Sequence, residues 1–272
     1  MTDRTPNPNW MGPACKPDAA VAFGMRLAGG GAHQSKTMMF DELDLLLGTG
    51  LQSATELAHA VIEDNVLGKS TKNSRGLTYR HMVSLYGLNA QPALSKVLMR
   101  LWTEDLAGRR LNCLLVALAR DPLLRDSAPV VLETPKGTQL YRQQVETAFN
   151  AAHPDRMSEK MVRSLAQNCN ASWTQSGHLE GRAKKIRRRV SPTPSNAALA
   201  ALIASACGFG GPSILSSIWL QVLDLTPDQA LDQLRRAEGL GLAKIRAAGD
   251  VTEILVRQAM ATTLGVPELE HI

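Results

Sequence analysis

Six basic side chains fall within the stretch GRAKKIRRRVSPTPSN, at Arg182, Lys184, Lys185, Arg187, Arg188 and Arg189, with no acid among them. Such a run can neutralise phosphates in series, each contact releasing condensed counterions and adding affinity without reading a base. The chain as a whole carries 30 Lys and Arg against 25 Asp and Glu, so this one segment exceeds the net charge of +5. A second set surrounds KSTKNSR, where Lys69, Lys72, Asn73 and Arg75 stand at the start of a predicted helix and Arg80 farther along it. At a helix start, cationic side chains and free backbone amides meet phosphates together. A third set, Gln229, Gln233 and Arg236, shares one helix face at i, i+4 and i+7, and its side-chain types match adenine and guanine edges. Lys244 and Arg246 follow it. Aromatic residues make up only 4% of the chain, too few for a single-strand stacking platform, so double-stranded DNA is the implied partner. The competing reading of the run is a solvated joint between two domains.

Other chemistry has weaker signals. The histidines His33, His59, His81, His153, His178 and His271 show no His-x-x-x-His or Cys/His spacing for a metal. SWTQSGHLEGR gathers Ser172, Thr174, Ser176 and His178, the types of a nucleophile and its base. No Gly-x-Ser-x-Gly elbow accompanies them, and Ser, Thr and His are ordinary helix-end residues. The stretch reads as a polar turn anchored in the bundle by Trp173. LAGGGAHQSK has the glycines of a phosphate cradle without the Gly-Lys-Ser/Thr ending or a preceding strand, so it reads as a loop before a helix. No catalytic residue, metal or cofactor is expected. Cys15, Cys113, Cys169 and Cys207 lie far apart and read as reduced thiols of a cytoplasmic protein. MTDRTPNPNWMGPACKP is polar and broken by prolines, unlike a signal peptide, and no apolar run approaches a membrane span.

The elements that must position these residues are almost wholly helical, because apolar residues recur at three and four spacings between Gly and Pro punctuation. Residues 1–35 read as a loosely ordered leader, and 36–90 as a helix-turn-helix-like unit. In that unit Ser53 and Glu56 form a capping box, and Tyr79, Met82, Val83 and Tyr86 make one stripe. Residues 91–180 read as a helical bundle, with Asp121 capping a helix that starts at Pro122. Its later stripes are Tyr141, Val145, Ala148, Phe149 and then Met161, Val162, Leu165, Cys169. Residues 181–193 read as a basic linker.

Residues 194–272 carry a mark at every boundary. One stripe holds Leu199, Leu202, Ile203 and Ala206. Gly211-Pro212 opens a helix with Leu215, Ile218, Trp219 and Val222 in step, and Thr226-Pro227 caps another that Gly239 closes. LAKIRAAGDVTEILV then changes period to a hairpin about Gly249-Asp250. Three helices and a hairpin are the order of a winged helix, whose third helix enters the major groove while the wing follows the backbone. Against this stand Asp228 and Asp232 on that helix, in a segment with eight acids and five bases. Winged helices also dock proteins, so a partner-docking scaffold is the alternative function.

NVLGKSTKNS, LLVALARDPLLRDSAPVVL and LRRAEGLGL together resemble the BrxA family of the BREX bacteriophage-exclusion systems over residues 36 to 245. That resemblance implies a helical bacterial protein with helix-turn-helix-like parts, associated with DNA binding and with other components of a defence complex. The long Pro-rich leader and the length of the basic run depart from the family's pattern. The combined reading is a mainly α, non-enzymatic, double-stranded-DNA-binding accessory protein. On that reading Arg187, Arg188 and Arg189 lie along phosphates and contribute little to folding, as exposed charges do.

Overall fold

The computed structural model describes residues 10–248 and 251–272, and the chain is mainly helical. The expected Gly249-Asp250 turn lies outside the described residues. Helix α1 (Pro17–Phe23) and a 3-10 turn (Ala32–Gln34) lead into α2 (Phe40–Leu47), α3 (Ala54–Ile62) and α4 (Lys72–Tyr86). Then come α5 (Ala93–Glu104), α6 (Arg109–Arg120), α7 (Pro122–Glu133), β1 (Gln139–Leu140), α8 (Arg142–Ala152), α9 (Glu159–Gln175), β2 (Leu179–Glu180) and β3 (Lys185–Arg187). The remainder is α10 (Pro194–Ala206), α11 (Pro212–Leu215), α12 (Ile218–Gln221), α13 (Pro227–Glu238), the paired strands β4 (Lys244–Ala248) and β5 (Val251–Leu255), α14 (Arg257–Leu264) and a 3-10 turn (Pro267–His271).

Local chemistry marks the starts of several helices. Ser53, Thr71, Thr193 and Thr226 each accept the N3 amide in a capping box, and Asp121 accepts the amides of Leu123 and Leu124 ahead of Pro122. These side chains satisfy amides that have no partner within the helix. The helix expected to run from Gly211-Pro212 through Val222 is instead two short ones. Ser217 is the cause: its hydroxyl donates to Ile214 O at 2.7 Å, closing the first turn, and the chain restarts at Ile218.

The core is organised around α10, where every residue from Ala197 to Ala204 is completely buried. Its alanines let neighbouring helices approach closely, and α6, α12 and α13 pack around it. A single hydrophobic core extends from Trp10 to Leu269, so the divisions expected at 90/91 and 180/181 fall inside continuous packing. Two stripe positions are corrected: Tyr141 is 58% and Met161 40% exposed, because both lie in the first turn or cap of a helix that projects past the core.

Residues 10–35 are not a loose leader. Trp10 is 1% exposed and meets the Trp219 ring edge-on at 4.8 Å. The Gly12 amide donates to Cys207 O at 2.8 Å, and a side chain there would lie 2.5 Å from the Gly208 backbone. Ala20 and Phe23 of α1 are fully buried. The polar, proline-broken composition hid this, because one tryptophan and one phenylalanine supply enough apolar area to anchor the segment. Gly31 of the glycine run has a packing reason as well: a Cβ there would sit 1.7 Å from the Asp121 carboxylate.

Trp10→Ala is therefore expected to lower the unfolding free energy by about 3–5 kcal/mol, measured by urea titration. A change within about 0.5 kcal/mol, the size of a surface substitution, would mean the segment is not anchored.

Candidate nucleic-acid interface

The middle of the basic run, expected to be a linker, is a strand. β3 is the middle strand of a small antiparallel sheet, pairing Gln139 with Ile186 on one side and Leu179 with Arg187 on the other. Arg187 is 4% exposed, so it is removed from the candidate phosphate contacts. Its guanidinium forms an ion pair with Asp224 and also donates from Nε to Val131 O at 2.9 Å. The other Asp224 oxygen bond comes from the Val190 amide at 3.0 Å. Lys185 is half-buried, its ammonium held by Thr174 Oγ1 at 2.9 Å and Gly181 O at 2.7 Å, and burial lowers its pKa. Arg188 pairs with Glu180, and Arg189 donates to Gln229 Oε1 at 2.6 Å and Asp224 O at 3.0 Å. Only Arg182 and Lys184 of the run are exposed without a described partner.

The same holds at the start of α4. Lys69 pairs with Glu42 at 3.0 Å and Lys72 with Glu63 at 2.8 Å. Arg75 donates to Ile62 O at 3.0 Å and Glu63 O at 3.2 Å, capping the end of α3. Asn73 and Arg80 remain exposed. On α13, Gln229 is occupied in its own capping box and by Arg189, while Gln233 is half-buried with its Oε1 enclosed and unbonded. Arg236 is exposed, as is Lys244; Arg246 faces Glu253 across the β4–β5 pair at 3.7 Å.

Two buried histidines sit in hydrogen-bond networks, the second joining the Ser176 and His178 that the sequence had set side by side. His33 donates Nδ1–H to the Asp121 carboxylate at 2.7 Å and places Nε2 2.9 Å from Ser172 Oγ. Burial pushes the Asp121 pKa up, but the His33 ring and the amides of His33 and Leu123 outweigh it and hold the carboxyl below its usual range. The order Asp, His, Ser is that of a nucleophilic triad. All three side chains are 0–1% exposed, and Ser172 Oγ also accepts the Met38 amide at 2.8 Å and donates to Asn168 O at 2.9 Å. With no opening to substrate, the network ties the segment before α2 to α7 and α9. Its members lie 88 and 139 residues apart, which is why no local motif announces it.

His178 is the second. It is fully buried, with Nδ1 2.8 Å from Ser176 Oγ and Nε2 2.7 Å from Val222 O, its ring edge-on to Trp173 at 4.9 Å. Burial lowers its pKa to about 4. The imidazole is thus neutral at pH 7, donating Nε2–H to Val222 O, with Nδ1 facing the Ser176 hydroxyl that also reaches Trp173 O. Trp173 is the anchor the sequence suggested, its Nε1–H bonded to Ser127 Oγ at 2.9 Å. Cys113, Cys169 and Cys207 are buried free thiols, and Cys15 is a partly exposed one. Among the described residues no three His, Cys, Asp or Glu side chains converge to hold a metal, and no helix is long and apolar enough to cross a membrane.

No protein-family model matches this chain, and no curated protein matches it.

Two outcomes follow from this geometry. Arg187→Met leaves the largely enclosed Asp224 carboxylate without its counter-charge, so it should cost about 3–5 kcal/mol by chemical denaturation, whereas Arg188→Ala should cost at most about 1 kcal/mol. Equal small losses would mean that Arg187 is not enclosed. For His178, the folded value near 4 lies below the ordinary 6.5, so between the two the unfolded chain binds more protons. Its contribution is present above pH 6.5 and is lost as pH falls toward 4, by on the order of 3 kcal/mol. His178→Gln should flatten that part of the pH–stability curve; an unchanged curve between wild type and variant would refute the assignment.

Proposed function

We propose that this chain is a non-enzymatic, cytoplasmic accessory protein that binds double-stranded DNA, with a helix-turn-helix-like unit ending in α4 and a winged-helix-like segment ending in the β4–β5 wing. The observation that carries the reading is the order and placement of α10, α13 and the wing. α13 packs on α10 through Ala230, Leu234 and Ala237, turns Arg236 outward, and leads directly into a hairpin bearing Lys244. Its phosphate contacts come from cations without an internal acid, among them Arg80, Arg182, Lys184, Arg236 and Lys244. The resemblance to the BrxA family supplies the proposed setting, a component of a bacteriophage-exclusion complex.

A docking scaffold is the second reading, and a particular feature favours it. Asp228 and Asp232 are exposed on α13, and Leu240 just after that helix is 53% exposed at the rim of a hollow of about 390 Å³ shared with Leu101, Leu242 and Leu264. An acidic, partly apolar face suits a protein better than a phosphate. Replacing both aspartates by asparagine separates the readings: stronger duplex binding places the face near phosphate, while loss of a captured partner with unchanged duplex binding favours the scaffold.

The direct test is titration of a labelled duplex at two salt concentrations. Binding at micromolar protein and about 50 mM salt, falling steeply with added salt, is expected. No detectable binding under those conditions would sink the proposal.

A further inference from the structure

We propose that the outward face of α4 binds the phosphodiester backbone of duplex DNA through Lys36, Arg80 and His81, braced from behind by Arg26 and Arg120; the inference rests on the DNA-binding reading above and gives it a site. The outer stripe of this helix is Asn73, Leu77, Arg80 and Ser84, at helical spacings of four, three and four, and Leu77 is 41% exposed on it. Two guanidinium groups converge at Ser84. Arg26 donates from Nη1 to Ser84 Oγ at 2.9 Å and from Nη2 to Gly30 O at 2.9 Å. Arg120 donates from Nε to Ser84 O at 3.1 Å and from Nη1 to Gly24 O at 2.7 Å. Arg80 and His81 stand one turn away on the same helix, and Lys36 follows the Ala32–Gln34 turn that packs on α4, its amide donating to Ala32 O at 2.9 Å.

The cluster brings several cations together with no anion among them. Among the described residues no carboxylate pairs with Arg26, Lys36, Arg80 or Arg120, whereas Lys69, Lys72, Arg109, Arg187 and Arg188 each have one. The hydrogen-bond partners of Arg26 and Arg120 are neutral carbonyl and hydroxyl oxygens. The cations therefore press on one another: burial and then Lys36 and Arg80 lower His81, and burial and then Arg26 lower Arg120 to about 10. A phosphate brought to this face relieves that repulsion and gains charge-assisted hydrogen bonds. The face is an exposed helix surface, where a single small anion stays hydrated and gains little. A chain of phosphates gains counterion release at every contact, so the polyanion is the ligand the geometry favours. A role for α4 survives, but it moves from the neutralised start of the helix to its middle.

The test uses the full-length protein and a fluorescent duplex titrated across a salt series. Lys36→Gln with Arg80→Gln should flatten the log–log salt dependence by about two units, at about 0.9 per phosphate contact, and weaken binding at least tenfold at moderate salt. The charge-conserving pair Lys36→Arg with Arg80→Lys should keep the wild-type slope. By NMR, the His81 ring should titrate at higher pH once duplex is added. A double variant that keeps both its fold by circular dichroism and the wild-type salt slope overturns this site while leaving duplex binding intact. The same rise in His81 from inorganic phosphate alone, without a change in duplex slope, would assign the face to a small anion and overturn it too. Wild-type protein that binds no duplex overturns the parent reading, a result distinct from either.

Discussion

The ion pair between Arg187 and Asp224 is the constraint on which the rest of this structure turns. Two charges withdrawn from water persist only where geometry and further hydrogen bonds offset the desolvation. Here the guanidinium is also bonded to Val131 O and to the Arg188 carbonyl, and the carboxylate also takes the Val190 amide. Asp224 adopts a left-handed backbone with φ of 56°, a conformation that Asp and Asn tolerate better than most residues. The pair thus fixes the loop before α13 against β3, and β3 against β1 and β2. His178, bonded to Val222 O two residues before Asp224, seals the same joint from the bundle side. This polar knot joins β3 to the loop before α13, with Trp173 edge-on to His178 and Leu179 paired with Arg187, inside a hydrophobic core that is continuous across the chain.

That knot changes how charge bears on function. A run of six cations suggests an electrostatic footprint, yet Arg187 is buried and bonded to carbonyls and a carboxylate, which withdraws it from phosphate. Charge available to a partner is the charge that the fold leaves unpaired, and of the cations singled out in the sequence it includes Arg80 on α4, Arg182 and Lys184 before β3, and Arg236 and Lys244 beside the wing. The C-terminal end of α9 links the first two regions. Gln175 donates to Thr37, next to Lys36, while the neighbouring Thr174 accepts from Lys185.

The helices were legible because their signals are local. Ser53, Thr71, Asp121 and Thr226 do at the caps what their chemistry dictates within three residues, and the burial of Leu199, Leu202 and Ile203 follows from spacing alone. Strands of two and three residues are too short for alternation to show, and β3 exists only because residues 137–140 and 178–180 supply its partners. Trp10 escaped notice because its packing partner stands 209 positions away. His33, Asp121 and Ser172 escaped for the same reason. In the candidate site, the residue types were readable but their state of pairing was not: Lys69 and Lys72 look like phosphate ligands until Glu42 and Glu63 are brought beside them.

A double-mutant cycle on Arg187→Met and Asp224→Asn, followed by urea unfolding, tests the central claim most directly. The account predicts that the pair couples by at least about 2 kcal/mol, because each single variant strands a buried polar group that the double variant no longer leaves charged. Single-variant costs that add to within about 0.5 kcal/mol of the double variant would contradict it, and would return Arg187 to solvent as one more cation of a basic run.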